Sequence, residues 1–254
     1  MGGGGDGGTV LGSRFGNGNA MSWVGRGGER ALAAVARRDR VVVRSQVHVE
    51  GEGMHSVARF AVAAGESVSF TLAWGESHLP PPDATDPYET LKQSLAFWED
   101  WSGRCIDGGE WSDIVRRSLV VLKGLSYLPT GGIVAAPTTS LPEWIGGERN
   151  WDYRYCWARD ATFVLTAFVN AGYHDEASAW RDWVRRAASG SPGQPQVLYG
   201  LAGARRLEEY ELTRLPGHEG PRPVCAGTAA SSHFLPDLSR VPARPFASGA
   251  RPPP

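Results

Sequence analysis

Residues 163–188 read FVLTAFVNAGYHDEASAWRDWVRRAA, and two kinds of helix follow one another within them. Phe163 to Val169 is apolar almost all round, the mark of a helix buried on every side. Gly172 follows where a left-handed cap is expected. From about Asp175 to Ala188 the pattern becomes one-sided: Ala177, Trp180, Val184 and Ala187 form a stripe against Glu176, Arg181, Asp182, Arg185 and Arg186. An inner helix followed by an outer one is the repeat of a double-layered helical toroid, and equally of any helical hairpin laid on a core.

Upstream, helical spacing continues. Leu91, Leu95 and Trp98 recur on one face, as do Trp111, Ile114, Val115, Ser118, Leu119 and Leu122. The spacing predicts helices over about 88–102, 111–125, 160–171 and 175–188. Before them lies a Pro-rich linker, GESHLPPPDATD, at residues 76–87. Ahead of the linker the period is two. Val41, Val43, Val47 and Val49 share a face, Phe60 and Val62 follow a turn, and Val68, Phe70, Leu72 and Trp74 alternate strictly. Half-buried antiparallel strands are expected at 41–50, 57–63 and 67–74. Residues 1–30 are rich in Gly and read as a mobile or partly strand-forming end. Residues 225–254 hold no periodic apolar face and much Pro, and read as a disordered tail.

A formal net charge of −1 gives no electrostatic footprint for nucleic acid or an anionic membrane. No apolar run is long enough to span a bilayer, and Met1 to Gly8 lacks the basic and apolar regions of a signal peptide. A cytoplasmic location is expected. Cys105, Cys156 and Cys225 form no CxxC pair and have no histidine at metal-ligand spacing, so they read as reduced thiols, with no metal or cofactor implied.

The chemistry concentrates in the loop PTGGIVAAPTTSLPEWIGGERNWDYRYCWARD, residues 129–160. Loops of that length inside compact domains are usually functional. It interleaves Trp144, Trp151, Trp157, Tyr153 and Tyr155 with Glu143, Glu148, Arg149, Asp152, Arg154, Arg159 and Asp160. Aromatic faces beside carboxylates and guanidinium groups suit a polyhydroxylated ligand: rings stack on its C–H faces, and the charged groups bind vicinal hydroxyls. An equally good reading makes Arg159–Asp160 a plain ion pair with Asp160 capping the helix.

The segment IVAAPTTSLPEWIGGERNWDYRYCWARDATFVLTAFVNAGY, residues 133–173, resembles family 15 glycoside hydrolases of the bacterial glucoamylase- and trehalase-like group. So do RRSLVVLKGLSYLPTGG and QVLYGLAGARRLEEYELTRLPGHEGPRPV, and the likeness covers roughly residues 14–224. It implies a mixed fold: a partial N-terminal antiparallel β-sandwich over 1–75, a linker with a helix over 76–110, and the first part of an (α/α)6 toroid over 111–224. By position, Trp157, Arg159 and Asp160 match the family's W-x-R-D element, which holds glucose at the cleavage subsite. Tyr153 matches an aromatic of the same wall. Arg205, Arg206 and Glu208 fall in a stretch resembling a further substrate-side loop, where Ala202 replaces the usual acidic residue.

The resemblance implies inverting hydrolysis of an α-glucoside or glucan, without a cofactor. That reaction needs two carboxyl groups, an acid and a base. In the family both come from loops beyond the matched region, so the chain reads as a fragment truncated at both ends, with a tail resembling an out-of-frame translation. Glu143, Glu148 and Asp152 are expected to serve salt bridges or substrate contacts instead. Two other readings stay open: a non-catalytic sugar-binding or regulatory module, and a sugar phosphorylase, which shares a similar two-domain plan.

Overall fold

The computed structural model describes residues 5–16, 20–28, 30–106, 109–189, 195–220 and 224–232. The chain divides into two compact units, 1–97 and 98–254.

The first unit is antiparallel sheet. Its strands are β1 (Gly5–Leu11), β2 (Trp23–Gly28), β3 (Ala31–Ala36), β4 (Asp39–Ser45), β5 (Glu50–Glu52), β6 (His55–Val62) and β7 (Phe70–Glu76). One sheet has the order β1-β6-β5 and the other β2-β3-β4-β7. The Gly-rich end supplies two strands, in line with the strand-forming half of its expectation. At Gly7 the lack of a side chain makes room for the Phe60 ring, which a Cβ would approach to 2.7 Å.

Residues 41–50, expected as one strand, are divided between the sheets. The Ser45 hydroxyl accepts the Val47 N–H at 3.1 Å, closing a local turn that ends β4. One partner of β4 is β3, whose sequence ALAAVA carries no alternation to betray it. Between them Arg37 takes a left-handed φ of 56° to make the turn.

The faces also differ from the sequence reading. Val41 pairs with Trp74 and Val43 with Leu72, yet Leu72 and Trp74 remain exposed. The most buried valine is Val42, 3% exposed on the opposite face. That face carries Arg40 and Arg44, which pull the linker across it. Arg40 donates to the carbonyls of Ser77 at 2.5 Å and Leu79 at 2.6 Å, and Arg44 donates to the carbonyl of Pro82 at 2.5 Å.

Helix α1 (Pro87–Gly103) starts in the first unit and ends in the second. Asp86 caps it, its Oδ1 accepting the N–H of Tyr88 and of Glu89 at 2.9 Å each, with Pro87 preset for the first position. The second unit adds α2 (Ser112–Gly124), α3 (Ala158–Asn170) and α4 (His174–Ala188), within two residues of the spacing prediction. Gly172, at φ 89°, ends α3 as expected: the Tyr173 N–H returns to the Phe168 carbonyl at 2.8 Å. The core joins Trp101, Leu119, Phe168, Tyr173, Trp180 and Trp183.

Two details of the helices are corrected. Helix α3 is not buried all round: Ala158, Ala161, Leu165 and Phe168 face the core while Phe163 is 73% exposed. In α4 the fully buried position is Trp183, and Val184 is only partly covered. The buried stripe runs through Ala177, Trp180, Trp183 and Ala187, turned toward Trp183 by the one-residue step that leaves Val184 at its edge.

Candidate functional site

The long connection between α2 and α3 is built from short pairings. β8 (Ser126–Tyr127) pairs with β9 (Gly132–Ile133), Thr139 bridges Asp152, and β10 (Cys156–Trp157) pairs with β11 (Leu198–Tyr199). Residues 150–157 run as an extended strip beside 135–140. Ser140, Ala136 and Ala135 donate their N–H groups to the carbonyls of Trp151, Tyr153 and Tyr155 at 2.7, 3.0 and 3.0 Å. The Ser140 hydroxyl in turn accepts the Trp151 N–H at 2.7 Å. This lattice removes the entropy that a free loop would keep.

Tyr153 and Trp157 meet at the end of the strip, ring centroids 6.0 Å apart and tilted by 65°. Such edge contacts are favoured by the ring quadrupoles. Trp157 is the N-cap residue of α3 in an extended conformation. Its Nε1–H is buried and meets no acceptor among the described residues. An unmade bond of that kind costs about 1–3 kcal/mol. Arg159 and Asp160 follow in the first turn of α3 and form a 3.4 Å ion pair, with side chains 68% and 48% exposed. The ion pair of the plainer reading is therefore present, but the cap is not: Trp157 holds the N-cap position and no side chain bonds there. Asp160 also lies where the helix dipole favours a carboxylate.

The structure brings Tyr153 and Trp157 into contact and joins Arg159 to Asp160. Of the weaker candidates, Arg205 lays its guanidinium over the Tyr199 ring, 5.6 Å from the centroid, while Arg206 and Glu208 are exposed. Glu143 accepts the Trp151 Nε1–H at 2.9 Å and stands 3.8 Å from Arg149.

Asp152 carries more than the sequence suggested. Its side chain is fully buried (0% exposed) and takes both arms of the Arg154 guanidinium, Nε at 2.8 Å and Nη2 at 2.7 Å. Its Oδ2 also accepts the Gly227 N–H at 3.0 Å and the Tyr155 hydroxyl at 3.3 Å. Burial alone would raise the Asp152 pKa, but the Arg154 fork and the Gly227 N–H outweigh it and hold the carboxyl below its ordinary value. Burial, with Asp152 adding to it, pushes the Tyr155 phenol up to about 12. The signal that could have found this arrangement is the two-residue alternation of Asn150 and Asp152 against Trp151 and Tyr153.

Gly227 lies in the expected disordered tail, and here the reading is corrected. β12 (Tyr210–Glu211) pairs with β13 (Cys225–Ala226), and Ala226 is buried. A short 3-10 turn, Ala229–Ser232, follows, and residues 233–254 lie outside the described residues. The cause is polar rather than apolar: the Asn150 Oδ1 accepts the Cys225 N–H at 3.1 Å beside the Asp152–Gly227 bond. Hydropathy patterns do not report such bonds. Next to this seam, Thr139, Ser140, Leu141, Asn150, Pro216 and His218 help to line a cavity of about 340 Å³.

Among the described residues no helix is long and apolar enough to cross a membrane, and no cluster of His, Cys, Asp or Glu has the makings of a metal site. A family model described as "Glycosyl hydrolases family 15" matches residues 109–239, running on past Val224, where the resemblance was expected to stop. The trehalase of Mycolicibacterium smegmatis is 37% identical over 195 residues, covering 74% of this chain and 28% of the relative. The trehalase of Mycobacterium tuberculosis is 39% identical over 192 residues, covering 74% and 28%. The trehalase of Thermoplasma acidophilum is 38% identical over 165 residues, covering 65% and 28%. The chain thus spans less than a third of the length of these curated relatives. No solved structure matches it.

Proposed function

The chain belongs to the glycosyl hydrolases of family 15, and from that membership we propose that it carries the glucose-holding part of an inverting α-glucosidase of trehalase type. The observation that carries this reading is the Tyr153–Trp157 corner, standing in the same chain turn as the exposed Arg159–Asp160 pair. Aromatic rings offer a face for the C–H side of a glucose ring. A guanidinium and a carboxylate at a helix start offer donors and acceptors for its hydroxyls. The relatives named above are all trehalases, which favours trehalose over maltooligosaccharides as the substrate. The helical hairpin α3–α4 fits the (α/α)6 toroid, and the two antiparallel sheets fit a partial β-sandwich. Three free thiols suit a cytoplasmic setting.

Inverting hydrolysis needs a carboxylic acid to protonate the leaving oxygen and a carboxylate to activate water, roughly 6.5–9.5 Å apart. A general acid is best placed with a raised pKa. Asp152 is shifted the other way and is spent on Arg154 and Gly227. Glu143 is engaged with Trp151 and Arg149. Neither suits the acid, which supports the reading that this chain holds the sugar without cleaving it.

The test is a titration of the chain with trehalose and with maltose, followed by tryptophan fluorescence. Saturable binding of trehalose, lost in Trp157→Ala and Asp160→Ala, is expected. Binding that survives both substitutions defeats the assignment.

A further inference from the structure

The strip at residues 150–157 has two faces. Asn150 and Asp152 turn inward and hold the backbone of the next hairpin: the Asn150 side chain takes the Cys225 N–H, and the Asp152 side chain takes the Gly227 N–H. Trp151 and Tyr153 alternate with them and are each 40% exposed. The inner side is built for close approach. Gly227 has φ 87°, and a Cβ on it would collide with the Glu208 carbonyl, so only glycine brings its N–H to the carboxylate. The Arg154 fork completes the shell, leaving Asp152 as a buried charge with each oxygen bonded.

We infer that Asp152 is a positioning residue: by locking the inner face of the strip to β13, it fixes the Tyr153–Trp157 wall on the outer face. The role rests on the glucoside reading above for what the wall receives. It does not rest on it for the geometry. Tyr153 follows Asp152 directly, and its ring meets Trp157 only while the backbone between them keeps its present course. A neutral side chain at 152 holds Arg154 and Gly227 less tightly, and the slack passes straight to Tyr153.

A double-mutant cycle on the 254-residue chain tests this. Trehalose binding is read by tryptophan fluorescence, and the Trp157 indole N–H resonance by heteronuclear NMR. The proteins are the wild type, Asp152→Asn, Tyr153→Ala and the double variant. Asp152→Asn is expected to weaken binding about tenfold, equivalent to about 1.4 kcal/mol, and to shift the indole resonance. In the Tyr153→Ala background it should cost nothing further, because the residue it acts through is already gone. A purely structural role costs the same in both backgrounds, so additive losses overturn the inference. An unmoved indole resonance overturns it too. Should Asp152→Asn fail to fold, Arg154→Lys keeps the charge, loses the planar fork, and faces the same three expectations. Wild-type chain that binds no trehalose defeats the glucoside reading alone, and the indole resonance then decides the positioning role.

Discussion

Tyr173 lies flat on Trp101, ring centroids 4.1 Å apart and planes 17° from parallel, and its hydroxyl donates to the Trp101 carbonyl at 2.9 Å. Residues from α1 and from the turn after α3 are thereby closed on each other. The Trp101 indole also donates to Glu176 at 2.7 Å, and Glu176 pairs with Lys123 at 3.0 Å. Trp101→Ala should cost about 3–5 kcal/mol, the range for deleting a buried aromatic. Tyr173→Phe should cost only about 0.5–1.5 kcal/mol, because the Trp101 carbonyl keeps the Arg104 N–H as a second donor at 3.3 Å. Urea denaturation of both variants checks the order; equal losses would contradict it.

Asp160→Ala separates binding from stability. The side chain is half exposed and its only described ion pair is the long contact with Arg159. Exposed pairs of this kind contribute about 0–1 kcal/mol, so the melting temperature should hardly move. Trehalose affinity should fall about tenfold or more, as expected for a lost charge-assisted bond to a hydroxyl. A large drop in melting temperature with unchanged affinity would reverse the assignment.

Acid should weaken the fold through Asp152 and Glu176. In both groups burial acts upward and is outweighed: for Asp152 by the Arg154 fork and the Gly227 N–H, for Glu176 by the Trp101 and Lys123 donors. Each carboxyl therefore has a lower pKa folded than unfolded. Such a group stabilises the fold above its unfolded pKa, about 3.9 for Asp and 4.3 for Glu. That contribution disappears as the pH falls through the folded value. Unfolding free energy should drop below about pH 4 and level off once both are protonated. Asp152→Asn should be less stable near neutral pH yet show a shallower acid slope, measured by denaturation across the acid range. An unchanged slope would remove Asp152 from the account.

The chain on its own should release no glucose from trehalose, maltose or maltooligosaccharides above background in a coupled glucose assay. General acid and base groups each typically contribute about a hundred- to ten-thousand-fold. Binding a glucosyl unit without them leaves most of the barrier standing. Steady glucose release by homogeneous protein would oblige the acid to be found elsewhere, with Glu148 and Glu208 the first candidates.

The helices were legible because helical spacing is a local property, and each of the four lies within two residues of its expected limits. Strands were legible only where apolar and polar residues alternate. ALAAVA at 31–36 and the glycines of β1 and β2 carry no such contrast, and their pairing depends on partners distant in sequence. At the candidate site, the aromatic and charged residues could be named from type and order alone. For Asp152 the alternation with Trp151 and Tyr153 could mark an inward side chain but not its partner, since Gly227 lies 75 residues away and bonds through its backbone. For the same reason Cys225 and Ala226 read as tail while the structure pairs them in a strand.

The linker over the sheet is held by Arg40 and Arg44 through the carbonyls of Ser77, Leu79 and Pro82. Every amino acid brings the same carbonyl. Relatives can therefore diverge in the side chains at 79 and 82 while keeping these bonds, whereas losing either arginine would loosen the strap beyond Ser77, which has its own bond to the Arg37 carbonyl. Inheritance would leave a lopsided record: a variable strap facing two retained arginines.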